Sequence, residues 1–192
     1  MKNMRNKLIV VIEGPSGVGK DSVKLGLIKK HPNTYKKAPS IATREMRPGE
    51  SQGDPYFFVD VEKFKQMLAD GIICEHTQRH GSLRGISLAL IDEILDAGLI
   101  PVKDADMVGV NALKQAYPNR VLTIFLKATR EDVEARLRNR GDDESEVKKR
   151  LDDYDFMMQF EPEFDYSVEN IVLNETIDKV HTIIQNHIRE KL

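Results

Sequence analysis

Apolar residues along this chain fall into short continuous runs that alternate with longer amphipathic segments. The run over residues 8–12 predicts a strand buried on both faces, and the next segment, over about 18–30, predicts a helix that stops before Pro32. Further strands are predicted over 100–104, 121–126 and 166–170, each followed by a helix, over 108–117, over 130–139 and from Glu175 onward. This alternation predicts an α/β fold with a doubly wound parallel sheet, which binds ligands at the carboxyl ends of its strands.

One segment, over residues 39–86, departs from this alternation. It is rich in Arg, Gly and Pro, and its single predicted helix, over 61–70, ends at Gly71. We interpret it as a small α+β insertion beside a core formed by residues 1–38 and 87–192. A short acidic patch that begins at Gly141 predicts a lid over about 141–150. The whole chain, 1–192, is then one domain.

Composition narrows the classes of function. The chain has 192 residues, 40% of them hydrophobic and 31% charged, which is typical of a soluble globular protein. A net charge of −2 gives no reason to expect binding to nucleic acid or to a membrane. Cys74 is the only cysteine, which excludes an internal disulfide and favours a reducing compartment. Because the apolar run over 8–12 is too short for a signal or a membrane span, the expected location is cytoplasmic.

The first predicted strand leads into a glycine-rich loop of the form G-x-x-x-x-G-K, and a helix follows. Glycines in such a loop let consecutive backbone N–H groups point inward at a helix N-terminus and hold phosphate oxygens. The lysine then reaches the β and γ phosphates as a point charge. The sequence therefore predicts ATP binding and an α/β fold of the P-loop NTPase type. The predicted phosphate-binding residues are Gly14, Pro15, Ser16, Gly17, Val18, Gly19 and Lys20.

The residues just after the lysine depart from the usual motif. Asp21 stands where a Ser or Thr is usual, and Ser22 comes next. An anionic side chain beside a triphosphate is repulsive unless Mg²⁺ lies between them. Asp21 and Ser22 are therefore both assigned to the ATP site, and either one is a candidate to hold that ion, directly or through water.

Downstream of the loop, the chain resembles the guanylate kinase family. The stretch over residues 40–50, SIATREMRPGE, is similar to the acceptor-binding signature of that family. The likeness continues at Tyr56 and Glu75, then over 104–106 and over 136–151, in the family's order and over nearly the whole chain. It implies a core sheet with a nucleotide-monophosphate-binding insertion and a lid. It also implies an ATP- and Mg²⁺-dependent kinase whose partners are small nucleotides.

The resemblance assigns roles to individual residues. Phosphate oxygens accept hydrogen bonds only, so Arg and hydroxyl donors suit the acceptor phosphate. The implied acceptor-phosphate residues are Ser40, Arg44, Arg47 and Tyr56. The implied guanine-binding carboxylates are Glu75 and Asp106, and Asp104 is implied to position Mg²⁺ through its waters. The implied catalytic residues are Lys20, Arg44 and the lid arginines Arg136, Arg140 and Arg150.

Three positions differ from the family pattern. Where the family usually carries G-N-Y-Y-G and then Ser or Thr, residues 81–86 read GSLRGI. Arg84 replaces the second tyrosine and retains a donor for the acceptor phosphate. Ile86 replaces the hydroxyl that helps to bind guanine, and it cannot hydrogen-bond the base. Lys103 stands where the family prefers an apolar residue.

These differences leave three functions open. The first is phosphorylation of GMP or dGMP by ATP. The second is phosphorylation of another acceptor, since Gly19-Lys20-Asp21-Ser22 is similar to the loop of ribose 1,5-bisphosphate phosphokinase, a relative that acts on a sugar phosphate. The third is a non-catalytic guanylate-kinase-like module, against which Lys20 and the lid arginines argue. The oligomeric state is expected to be a monomer or a homodimer.

Overall fold

Nine strands and seven helices make up the part of the chain that this computed structural model describes, residues 8–79 and 81–191. The strands are β1 (Ile9–Glu13), β2 (Tyr35–Lys37), β3 (Ser40–Ala42), β4 (Tyr56–Phe58), β5 (Ile73–Arg79), β6 (Ser82–Ser87), β7 (Ile100–Lys103), β8 (Val121–Lys127) and β9 (Tyr166–Glu169). The helices are α1 (Lys20–Lys30), α2 (Val61–Ala69), α3 (Leu88–Asp96), α4 (Met107–Ala116), α5 (Arg130–Asn139), α6 (Glu144–Met158) and α7 (Leu173–Lys191).

The main sheet has five parallel strands in the order β2-β7-β1-β8-β9. Its central strand, β1, is covered on both faces. Val10 and Ile12 pack into one core cluster with residues of α1, α5 and α7, whereas Ile9 and Val11 pack into another with residues of α3 and α4. A strand buried on both faces reads as a continuous apolar run. The predicted α/β class and doubly wound parallel sheet are confirmed.

A second sheet lies beside the first, with four strands in the order β4-β3-β6-β5. Helix α2 covers one of its faces, where Ile41, Phe64 and Ile73 form a small core of their own. The strands and the helix fall within or next to residues 39–86, where the sequence predicts an α+β insertion. The division of the chain into core, insertion and lid stays a prediction.

Several boundaries differ from those predicted. Helix α1 begins at Lys20 rather than at Val18, because Gly19 adopts a left-handed conformation with φ of 94°. Strand β2 and helix α3 were not predicted at all. Helix α6 begins at Glu144 behind an N-cap in which Asp143 accepts from two backbone N–H groups, so most of the predicted lid is helical. Within the described ranges, none of the helices is both long enough and apolar enough to span a membrane.

Candidate active site

The glycine-rich loop lies between β1 and α1, at the carboxyl edge of the main sheet. Gly14 passes so close to β8 that a Cβ on it would lie 2.0 Å from the carbonyl oxygen of Leu126. The Lys20 ammonium is folded inward, where it donates to the carbonyl oxygens of Gly14 and of Pro15, the latter at 3.1 Å. The predicted loop residues are thus together, with the lysine held at their centre.

Glu13, the last residue of β1, is a site residue that the sequence analysis missed. Its Oε1 lies 3.3 Å from the Lys20 Nζ, and its side chain is largely buried. Burial raises the pKa of Glu13, and the Lys20 ammonium opposes that rise without cancelling it. The predicted phosphate-binding lysine therefore already has a carboxylate partner. An acidic residue closing an apolar strand was the only signal in the sequence.

Asp21 and Asp104, two of the predicted Mg²⁺ residues, are brought together by a third residue that was not predicted. The ammonium of Lys24, one turn into α1, lies 3.0 Å from an oxygen of each. Burial by itself would raise the pKa of Asp104, but the charges of Lys24 and Lys103 outweigh it and hold that pKa at about 2. Asp104 therefore stays ionised at neutral pH.

The donor set at this edge fits Mg²⁺, which prefers carboxylate and water oxygens and keeps most of its waters. The ionised Asp104 lines a cavity beside the loop, and Ser22 lies on the other side of the loop. Among residues 8–79 and 81–191, no group of three or more His, Cys, Asp or Glu side chains is arranged to hold a metal. The residues present thus suit an ion that arrives with the nucleotide.

Between the loop and the second sheet lies a cavity of about 460 Å³. The strand registers explain which side chains face it, because residues two apart on a strand share a face. Tyr56 pairs with Ser40 across β4 and β3, and Glu75 pairs with Ile86 across β5 and β6. The next row along the same face contains Arg84, paired with Thr77. The cavity is lined by Ser40, Tyr56, Glu75, Thr77, Arg84 and Ile86 on this side and by Gly14, Ser16 and Lys20 on the other.

Glu75 lies on the wall of this cavity with an oxygen that has no partner. Its Oε1 is buried, and no described residue hydrogen-bonds it. Burial raises the pKa of Glu75, and the nearby charge of Asp106 raises it further. Asp106 lines the same cavity and also caps α4, accepting from the backbone N–H of Gly109 at 3.0 Å. The two carboxylates predicted to bind guanine therefore face one space, as expected.

Three arginines predicted for the acceptor phosphate take different positions. Arg44 forms a bidentate pair with Glu50 at 2.6 Å for both bonds, and its guanidinium lies 5.4 Å from the centre of the Tyr56 ring. Arg84 lies 4.9 Å from the same ring, and its buried Nε has no partner among the described residues. Arg47 is exposed and is not among the residues that line the cavity. The structure thus brings Arg44 and Arg84 to Tyr56 but not Arg47.

The lid arginines surround the phosphate loop from its other side. Arg136 donates to the carbonyl oxygens of Val18, at 3.2 Å, and Asn170, at 2.8 Å. Arg150 reaches across from α6 and donates to the Ser16 Oγ at 2.8 Å. Arg140 follows α5 and, together with Arg136 and the loop, lines a second cavity of about 390 Å³.

Asp142 joins two of these arginines. It accepts from Arg140 Nε at 3.0 Å, and its other oxygen lies 3.1 Å from Arg150 Nε. The hydrogen bond with Arg140 lowers the pKa of Asp142, so the carboxylate keeps its charge. Asp142 was not predicted, because nothing in its sequence neighbourhood shows that α5 and α6 turn their arginines to the same carboxylate.

Lys103 stands where the resemblance leads us to expect an apolar residue, and the structure shows its surroundings. It is 2% exposed at the end of β7, and its ammonium donates to the Ser40 Oγ at 2.7 Å. Burial lowers the pKa of Lys103, while the charges of Asp104 and Glu75 oppose that shift. A buried lysine therefore donates a hydrogen bond to a residue of the cavity wall.

The fold and the site define a class: a P-loop protein whose phosphate loop shares a cavity with a polar sheet face. Comparison with known proteins then identifies the family. The family model of guanylate kinase matches residues 5–187, and the chain belongs to the guanylate kinase family. The resemblance read from the sequence is confirmed.

Individual relatives agree with this assignment. The chain is 31% identical to the guanylate kinase of Prochlorococcus marinus strain MIT 9312, over 96% of this chain and 100% of the relative. It is 33% identical to the guanylate kinase of Photorhabdus laumondii, over 93% of this chain and 87% of the relative. A crystal structure of guanylate kinase from Anaplasma phagocytophilum superposes with a TM-score of 0.70 at 26% identity, covering 93% of this chain and 85% of that one.

Proposed function

We propose that this protein transfers the terminal phosphoryl group of ATP to GMP, giving ADP and GDP. The proposal rests on one observation, a cavity lined both by the phosphate loop and by the residues proposed to bind GMP. Lys20 and the loop form one wall, and the unpartnered carboxylate oxygen of Glu75 lies on the other. Family membership supports the same activity. Phosphorylation of a different acceptor has no comparable support, because the relatives from Prochlorococcus marinus and Photorhabdus laumondii, which match along the chain, are both named as guanylate kinases.

The hydrogen-bond donors and acceptors of GMP match those of the cavity wall in one orientation of the nucleotide. The N1 and N2 hydrogens of guanine are donors, and the ionised carboxylate of Glu75, with its free Oε1, presents acceptors on both oxygens. The GMP phosphate carries only acceptors, and the wall of the cavity beside Tyr56 supplies donors from Ser40 and Arg84, with the Arg44 guanidinium 5.4 Å from the centre of the Tyr56 ring. In this orientation the base lies at Glu75 and the phosphate lies at the end of the cavity beside Tyr56.

Phosphoryl transfer needs positioning and charge neutralisation rather than covalent chemistry. The acceptor phosphate is already an anion, so no general base is required. Lys20 exchanges its contacts with loop carbonyls for contacts with the β and γ phosphates, and Arg136, Arg140 and Arg150 lie where they can neutralise the transferring group. Such arginines typically contribute roughly 10³–10⁵ in rate.

Asp104, through water, and Ser22 would hold a Mg²⁺ ion that arrives with ATP, and the ion would neutralise charge on the phosphates. Asp21 has a different role in this proposal. Its carboxylate faces the Lys24 ammonium and fixes it against Asp104. We further propose that the enzyme acts on free nucleotides in the cytoplasm, as a monomer or a homodimer. The single, unpaired Cys74 supports a reducing compartment.

The test is a coupled assay of ADP release with MgATP and a panel of acceptors: GMP, dGMP, AMP and ribose 1,5-bisphosphate. Turnover is expected with GMP and dGMP. Lys20→Met is expected to abolish turnover while the protein stays folded, because it removes the charge that meets the phosphates. Glu75→Gln is expected to raise the KM for GMP, because an amide presents one acceptor and one mismatched donor. An enzyme that phosphorylates neither GMP nor dGMP would refute the proposal.

A further inference from the structure

Lys103 is a buried lysine that the proposed reaction does not use. It lies at the end of β7 and is 2% exposed. Within the described part of the chain, its hydrogen-bond partner is the neutral hydroxyl of Ser40, and no ion pair to a carboxylate is formed. The charges of Asp104 and Glu75 act on it only from a greater distance.

Packing does not explain this residue. Removing an ammonium from water without a close counter-ion costs more free energy than one hydrogen bond to a neutral group returns. An apolar side chain of similar volume, such as methionine, fills the same space without that cost. The neighbouring residues Ile100 and Val102 are apolar and fully buried, so the strand does not need a charge to be stable. The stability of the fold therefore does not account for a lysine at this position.

The contact with Ser40 supplies one. An ammonium has three donors and no acceptor, so the Ser40 Oγ accepts from Lys103. The hydrogen of the Ser40 hydroxyl must then point elsewhere, and Ser40 lines the cavity opposite the loop. Ser40 pairs with Tyr56 on the neighbouring strand, so this donor belongs to the same end of the cavity as the Tyr56 phenol and the Arg84 guanidinium.

We propose that Lys103 is a positioning residue for the acceptor phosphate: it holds the Ser40 hydroxyl as a fixed donor into the cavity and places a positive charge behind it. A phosphate oxygen can only accept, and a serine hydroxyl left free would have to be oriented at each binding event. A chain of hydrogen bonds that starts at a cation is also stronger than one that starts at a neutral group. The inference rests on the proposed function, because it takes the acceptor to be GMP.

The experiment compares Lys103→Met, Ser40→Ala, the double variant and the matched control Lys36→Met. Lys36 is an exposed lysine on β2, so its replacement removes the same charge from the surface. We expect Lys103→Met to raise the KM for GMP roughly 10- to 100-fold, as loss of a charge-assisted hydrogen bond does. The KM for ATP should stay within about twofold, because no donor to ATP is changed.

Two further readouts separate positioning from a structural role. The double variant should be no worse than the more impaired single variant, because both changes remove the same donor. The melting temperature of Lys103→Met should be equal to or above that of the wild type, because a buried unpaired charge has been removed. Lys103→Gln keeps an N–H donor to Ser40 and should recover part of the affinity for GMP.

Specific outcomes would overturn the inference. An unchanged KM for GMP in Lys103→Met, while the wild type phosphorylates GMP, refutes it and leaves the proposed function intact. A parallel rise in both KM values together with a lower melting temperature assigns Lys103 a structural role, which also refutes it. If Lys103→Met does not fold, Lys103→Gln and Ser40→Ala decide between the same outcomes. A wild-type protein that neither binds nor phosphorylates GMP refutes the proposed function and the inference together.

Discussion

Replacing Ile86 by threonine and by valine tests whether the cavity has lost part of its contact with the base. Ile86 is 4% exposed, and it lies between Ser40 and Glu75 on the wall of the cavity. Its side chain also packs against α4, where a Cβ on Gly109 would lie 2.9 Å from its Cδ1. Valine and threonine have nearly the same shape, so the difference between the two variants isolates one hydroxyl.

The magnitudes follow from burial. Either substitution removes one methyl group from a packed site, which costs about 1 kcal/mol and lowers the melting temperature by roughly 2–4 °C. Threonine buries a hydroxyl as well, which adds about 1–3 kcal/mol if nothing accepts its hydrogen bond. When GMP is bound, the same hydroxyl reaches the base and returns about 0.5–1.5 kcal/mol. The KM for GMP should therefore be about 2- to 12-fold lower in Ile86→Thr than in Ile86→Val.

The assay measures steady-state kinetics with GMP and with ATP as the varied substrate, together with thermal unfolding of both variants. The KM for ATP serves as the internal control, since Ile86 lies on the acceptor side of the cavity and should not affect it. A KM for GMP in Ile86→Thr that equals or exceeds that of Ile86→Val would show that this position does not contact the base. The interpretation of Ile86 as a lost base contact would then be wrong.

Three further predictions concern other parts of the molecule. Glu13→Gln should tighten ATP binding at neutral pH, because it removes the carboxylate that competes for Lys20. The pKa of Glu13 is already raised, and the negative charge of bound ATP should raise it further, so the wild type should take up a proton on binding. Its Kd for ATP should therefore fall as the pH falls, and calorimetry should detect this proton uptake in the wild type but not in Glu13→Gln. Arg150→Lys should lower kcat at least tenfold with stability unchanged, since a point charge cannot replace the guanidinium at the loop. Thr123→Val should lower the free energy of unfolding by about 1 kcal/mol in urea titrations. The Thr123 hydroxyl, which this change removes, donates to the Asp165 carboxylate and accepts from the Asp165 backbone N–H.

The parts of the fold that sequence predicted best are those that local interactions determine. Strand β1, Ile9–Glu13, is covered on both faces, and the continuous apolar run over 8–12 predicts it to within one residue at each end. Strand β2 was missed because its three residues, Tyr35–Lys37, are mostly polar and too few to show a period. Helix α3 was missed although Ser87 caps it, because the segment follows directly on a strand without a turn signal.

The same distinction between local and long-range interactions applies to the residues of the candidate site. The loop was predicted from its own spacing, and Glu75 and the lid arginines were predicted from the resemblance to the guanylate kinase family; the roles of these residues stay predictions. Their surroundings were not found, because they depend on contacts between distant parts of the chain. Lys24 is 80 residues from Asp104, and Arg150 is 134 residues from Ser16. Nothing in the sequence around either residue indicates such a partner.

The sequence by itself determined the α/β class, through the buried strand and the alternation of strands and helices. The glycine-rich loop followed by a lysine, together with the ordered arginines, predicts that this chain binds nucleotide phosphates. Only the tertiary structure decided which charges meet. It placed Glu13 against Lys20, left Arg47 exposed, and buried Lys103 against the hydroxyl of Ser40. The physical reason is that backbone geometry and hydrophobic period act over a few residues, whereas the pairing of charges depends on distances that exist only after the sheets have packed.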